Sequence, residues 1–166
     1  MIHFSVTGPL AIPFQQGKAS KIVSSAEAAS FWEEHPSLAD RRGCYVFAIR
    51  AGRGITPAYV GRATKTFRQE VFARDKIAKY QHVLAEYRRG TPVIFLLAAP
   101  QGRGKPNVSI VRELESFLIQ SALSVNADLV NVHGTKRAQF SIAGVLRGGK
   151  GKPSHAARIF KTSMAL

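Results

Sequence analysis

Acidic residues are scarce in this 166-residue chain: ten Asp and Glu stand against 24 Lys and Arg, a formal charge of +14. A single cysteine, Cys44, excludes an internal disulfide framework and a thiolate zinc site. No uncharged stretch approaches the ~20 apolar residues of a membrane span. The first twenty residues have no basic start and are interrupted by Gly8, Pro9 and Pro13, so they are not expected to act as a signal peptide. The histidines (His3, His35, His82, His133 and His155) lack the spacing of metal ligands. Gly144 to Lys150 fits G-x-x-x-x-G-K, but Gly151 stands where a phosphate loop needs Ser or Thr to ligate magnesium.

What is present is a 45% apolar composition spread along the chain, enough for one compact domain with a real core. A soluble, cytoplasmic protein is expected, and its charge points to nucleic acid as the partner. The charge is unevenly placed. Arg41 to Gly90 holds twelve Lys and Arg and only three acids (Glu70, Asp75 and Glu86), and no acid follows Leu129.

Ser24-x-x-Glu27 is a capping box opening an Ala-rich helix that stops before Pro36. Tyr45–Ile49 reads as a strand, Ala51–Pro57 as a Gly-rich turn, and Ala58–Val60 as the return strand of a hairpin. Thr66 and Asp75 are candidate caps of two further helices, the second carrying Ile77, Tyr80, Leu84 and Tyr87 and stopping at Gly90. Pro92–Ala99 is a continuous apolar run suited to a buried central strand, and Ser109–Leu123 is the clearest helix. Phe140–Leu146 reads as a last strand before a short helix near Ser154–Phe160. Gly104–Asn107 and Gly151–Ser154 read as two loop-to-helix turns.

Within this order lie Gly43-Cys44-Tyr45, Tyr59-Val60-Gly61, Arg68, Glu115-x-x-Leu118-Ile119 and Asn131. The constellation resembles the GIY-YIG nucleases, whose G-x-Y and Y-x-G motifs occupy neighbouring strands of a small antiparallel sheet. An Arg, a Glu in E-x-x-L-I and an Asn follow in that family. The resemblance covers about residues 41–135. Two departures stand out: Cys44 replaces the Ile of the first motif, and Phe72 stands where many members carry a His.

The resemblance implies an α+β fold, a small mainly antiparallel sheet flanked by helices. Residues 1–40 would be an N-terminal extension packed on the 41–135 core, and 136–166 a basic C-terminal extension. It implies a metal-dependent endonuclease, acting most simply on DNA by single-metal attack of water. Tyr45 would activate the water, Arg68 would clamp the phosphate, and Tyr59 and Asn131 would complete the site. Glu115 would hold magnesium or manganese.

Chemistry supports these residue types. A planar Arg fork binds two phosphate oxygens at once, and a lone carboxylate suits magnesium, which keeps most of its water. At about 100° per residue Glu115 falls beside Val111, Leu118, Ile119 and Ala122, whereas Glu113 falls among Ser109, Ser116 and Gln120. A carboxylate at the border of an apolar face calls for a cation: a metal, or an Arg in a Glu–Arg pair. The nucleic-acid contacts expected are Arg62, Lys65, Arg74 and Lys76, with Lys136, Arg137, Arg147, Lys150 and Lys152 gripping the backbone without reading sequence. The alternative is a non-catalytic nucleic-acid-binding module that keeps the fold.

Overall fold

The computed structural model describes residues 2–101, 107–131, 142–145 and 152–164. The chain divides into two units, Met1–Thr135 and Lys136–Leu166. The first unit is α+β. Its order is β1 (Ser5–Ala11), β2 (Gln15–Gln16), β3 (Lys21–Ile22), α1 (Ser25–Glu34), α2 (Pro36–Ala39), β4 (Gly43–Ala51), β5 (Gly54–Ala63), α3 (Phe67–Glu70), α4 (Arg74–Glu86), β6 (Thr91–Ala98) and α5 (Val108–Val125). Strands β1, β6, β4 and β5 form one antiparallel sheet in that order, and β2 and β3 form a separate two-stranded ribbon. Residues before 41 therefore supply an edge strand of the main sheet as well as α1.

The apolar strands form where the sequence is β-branched and aromatic. β4 and β6 lie inside the sheet and are buried along most of their length, so they read as runs rather than alternations. One face gathers Tyr45, Phe47, Tyr59, Ile94 and Leu96 against Phe31 and Trp32 of α1 and Tyr80, Val83 and Leu84 of α4. Phe47 stacks on Tyr80 with ring centroids 4.1 Å apart. Alternation along the strands sends Cys44, Val46, Val60 and Arg62 to the opposite face. There Val60 packs with Ile119 and Ala122 of α5 and with Leu129.

Local signals set the helix ends. Both hydrogen bonds of the Ser24–Glu27 capping box form, and Thr66 Oγ1 accepts from Gln69 N at 3.2 Å. Asp75 is not a cap. α4 begins two residues earlier than that cap implies, at Arg74 after Ala73, and Asp75 lies in the first turn, where its carboxylate suits the positive helix end and pairs with Lys76. α4 also ends before Gly90, with Tyr87 as its C-cap. The hairpin turn is tighter than expected, because β4 runs on to Ala51 and β5 starts at Gly54. A register shift in β5 leaves Ala58 as the extra residue, and Ala58 O accepts from Val130 N at 2.9 Å.

In the second unit Ile142–Val145 closes a turn, Val145 N donating to Ile142 O at 2.9 Å. Gly144 takes φ of +71°, which an extended run cannot contain, so the described part of Phe140–Leu146 is not a strand. The amphipathic helix α6 (His155–Ser163) follows, capped by Ser154 Oγ, which accepts from Ala157 N at 3.1 Å. Asn107 caps α5 in the same way, so both Gly-Lys-Pro segments deliver a helix N-cap. No helix among the described residues is long and apolar enough to cross a membrane.

Tyr45 sits opposite Gly61 in the β4–β5 register. A Cβ at Gly61 would fall on Cζ and Oη of the Tyr45 ring, so only glycine lets that ring lie flat on β5. Overpacking at such a rigid, buried ring costs about 1–3 kcal/mol. Gly61→Ala is therefore expected to lower the urea midpoint by a corresponding amount with little change in slope; an unchanged midpoint would count against this packing.

Candidate functional site at the edge of the motif hairpin

The two motifs fall on adjacent antiparallel strands, Tyr45 facing Gly61 and Phe47 facing Tyr59. Their tyrosines share one face with ring centroids 6.2 Å apart, yet their environments differ. Tyr45 is fully buried and its Oη has no hydrogen-bond partner among the described residues. Burial, reinforced by the neighbouring phenols Tyr80 and Tyr59, pushes its pKa well up, so it is a poor base. Tyr59 retains a small exposed surface, 5%, on the edge strand. Lys79 Nζ stands 4.8 Å from the centre of its ring. Lys76 lies beside its hydroxyl. Partial burial works against the Lys76 ammonium, but hydrogen bonding to Asp75 and the nearby Tyr59 hydroxyl hold its pKa above the usual lysine value.

Tyr80, absent from the candidate set, completes a buried phenol cluster and donates Oη to Val71 O at 2.9 Å. Its helical spacing marked it as core, and the hydroxyl is what that pattern leaves undescribed. Phe72 belongs to the same core, edge-on to Phe31, Trp32 and Tyr80.

Glu115 lies across the sheet from the tyrosines. α5 carries it over the face that holds Cys44 and Arg62, and its carboxylate is ion-paired to Arg62 Nη1. The Glu–Arg alternative is therefore the arrangement present, with Glu115 the more buried partner (side chains 17% and 39% exposed). Cys44 Sγ donates to Val111 O at 3.4 Å. Burial, with the Glu115 charge adding to it and Arg62 opposing it, pushes the Cys44 thiol up to about 12, so it stays a neutral small hydrophobe.

Asn131 is tied to the backbone. Its side chain accepts from Val60 N at 2.9 Å and donates to Val60 O at 2.7 Å, pairing with the free edge of β5 much as another strand would. Asn131 thus fixes the edge on which Tyr59 and Arg62 are carried. Arg68, the expected clamp, is exposed on α3 and has no ion pair among the described residues. The hairpin therefore brings together Tyr45 and Tyr59, and separately Arg62, Glu115 and Cys44; it does not place Arg68 or Asn131 in either group.

The expected nucleic-acid contacts divide similarly. Lys65 and Arg74 are exposed, Lys76 is partly buried, and Lys152 is exposed just before α6. Lys136, Arg137, Arg147 and Lys150 lie outside the described residues. The acids of this region are already engaged: Glu70 accepts from Lys65 N and Thr64 Oγ1, Asp75 pairs with Lys76, and Glu86 pairs with His82 at 3.5 Å. The α3–α4 surface is thereby left with cations in excess.

Among the described residues no three His, Cys, Asp or Glu side chains cluster as a metal cage. A single carboxylate can be the protein's share of a magnesium site that otherwise keeps water and takes phosphate oxygens, but Glu115 could serve so only with Arg62 displaced from it. Comparison with protein-family models, curated proteins and solved structures gives no match.

Removing the sealed phenol oxygen tests its role. A buried, unpaired hydroxyl costs about 1–3 kcal/mol. Tyr45→Phe is expected to raise the unfolding free energy by about 1 kcal/mol while keeping nucleic-acid binding. A drop in stability would mean that Oη has a partner.

Proposed function

We propose that this chain is a phosphodiester-cleaving endonuclease of the GIY-YIG type acting on DNA, with Tyr59 rather than Tyr45 as the working phenol. The observation that carries this reading is the contrast between the two tyrosines: Tyr45 has no exposed surface and no partner for its hydroxyl among the described residues, whereas Tyr59 keeps 5% exposure on the edge strand with Lys79 Nζ 4.8 Å from its ring centre. Tyr59 hydrogen-bonds and orients the attacking water. Lys76 and Lys79 take the phosphate charge assigned by the motif to Arg68, as fixed cations aimed where negative charge grows. Glu115, on the opposite face of the sheet, would hold magnesium or manganese, and that ion would supply neutralising charge to a phosphate passing the α5 side of the β5 edge rather than to the one beside Tyr59. Tyr45 positions β5 by lying over Gly61, and Asn131 positions it from the other side. Exposed Lys65, Arg68 and Arg74 hold the flanking backbone.

Two observations favour a second reading, binding without cleavage: Glu115 does not share a pocket with Tyr45 and Tyr59 but lies on the other face of the sheet, and its carboxylate is already paired with Arg62. A plasmid assay at low salt with magnesium or manganese separates the two. The endonuclease reading expects nicking that falls about 100-fold or more in Tyr59→Phe, the scale of a lost acid–base group, and is lost in Glu115→Ala. Salt-steep binding with no nicking by the unmodified protein across several substrates would establish the second reading instead.

A further inference from the structure

Arg62 and Glu115 make a contact that neither motif requires. They come from β5 and α5, 53 residues apart in sequence, and the guanidinium closes directly on one carboxylate oxygen. The Cys44 thiol lies close to the pair and stays neutral, so it does not compete for the guanidinium. Glu115 is mostly buried, so its carboxylate is costly to leave without a positive partner. Arg62 is more exposed, so its guanidinium can swing toward solvent without leaving a charge stranded.

We propose that Arg62 is a built-in counter-ion that occupies the cation seat of Glu115 and gives way as a divalent ion enters. This deepens the endonuclease reading and rests on it for its purpose, because an Arg62 released by an arriving phosphate would bind that phosphate while freeing Glu115. A phosphodiester and a divalent cation then favour each other's binding, and the resting protein takes up little metal. A carboxylate that is free for only one part in ten of the time binds about tenfold more weakly than a permanently free one.

Manganese binding, followed by the electron paramagnetic resonance signal of the free ion, tests this without nucleic acid or turnover. Arg62→Ala and the size-conserving Arg62→Gln are each expected to bind manganese about tenfold more tightly than the unmodified protein. Adding Glu115→Gln to either variant should abolish the gain. Thermal melts give the second readout: manganese should raise the melting temperature of both Arg62 variants and restore it if removal of Arg62 loosens the fold. Equal manganese affinity with and without Arg62, or a gain that survives Glu115→Gln, overturns the proposal. Because no cleavage is measured, a failed plasmid assay leaves this result independent.

Discussion

The contact between Tyr45 and Gly61 is the constraint on which the motif hairpin depends. A fully buried aromatic ring lies on the backbone of the neighbouring strand, in space that any side chain at position 61 would fill. That contact sets which way each residue of β5 points. With Gly61 under the ring, Tyr59 joins the aromatic face beside Phe47 and Tyr80, and Val60 and Arg62 turn to α5. Asn131 then closes the free edge by bonding both backbone groups of Val60, a buried residue whose amide would otherwise lack a partner.

The electrostatic arrangement follows from the same geometry. The charge of +14 is not spread evenly over the surface. Twelve Lys and Arg stand against three acids between residues 41 and 90, which leaves this part of the chain cationic. Glu115, outside that region, differs in place and surroundings. It sits on the opposite sheet face, mostly buried, and its neutralisation depends on one guanidinium. The proposed reaction centre is thus divided by the edge strand, with phenol and ammonium groups on one side and the carboxylate on the other.

Much of the architecture was legible because it rests on local rules. The capping box at Ser24, the Thr66 cap, the apolar run of β6 and the length of α5 are written in neighbouring residues. The pairing of Gly43-Cys44-Tyr45 with Tyr59-Val60-Gly61 was legible as a hairpin. Four things were not. The participation of β1 in the sheet depends on a partner almost 90 residues away, which no local pattern encodes. Asp75 looked like a cap because Asp is a good one, but Ala73 already supplies the extended residue before α4. The roles of the two tyrosines depended on burial: both stand on one face, and only the edge position of β5 leaves Tyr59 near solvent. Helix geometry singled out Glu115 from Glu113, but its partner Arg62 could not be read from α5 alone.

The central claim is that phosphodiester recognition runs through Tyr59 and not through Tyr45. Ring-labelled tyrosine NMR during titration with a short DNA, without metal, tests it most directly. The account predicts that the Tyr59 ring resonances shift progressively with DNA while those of Tyr45 and Tyr80 stay in place. Shifts of Tyr45 with Tyr59 unmoved, or DNA binding that leaves all three rings unchanged, would contradict it.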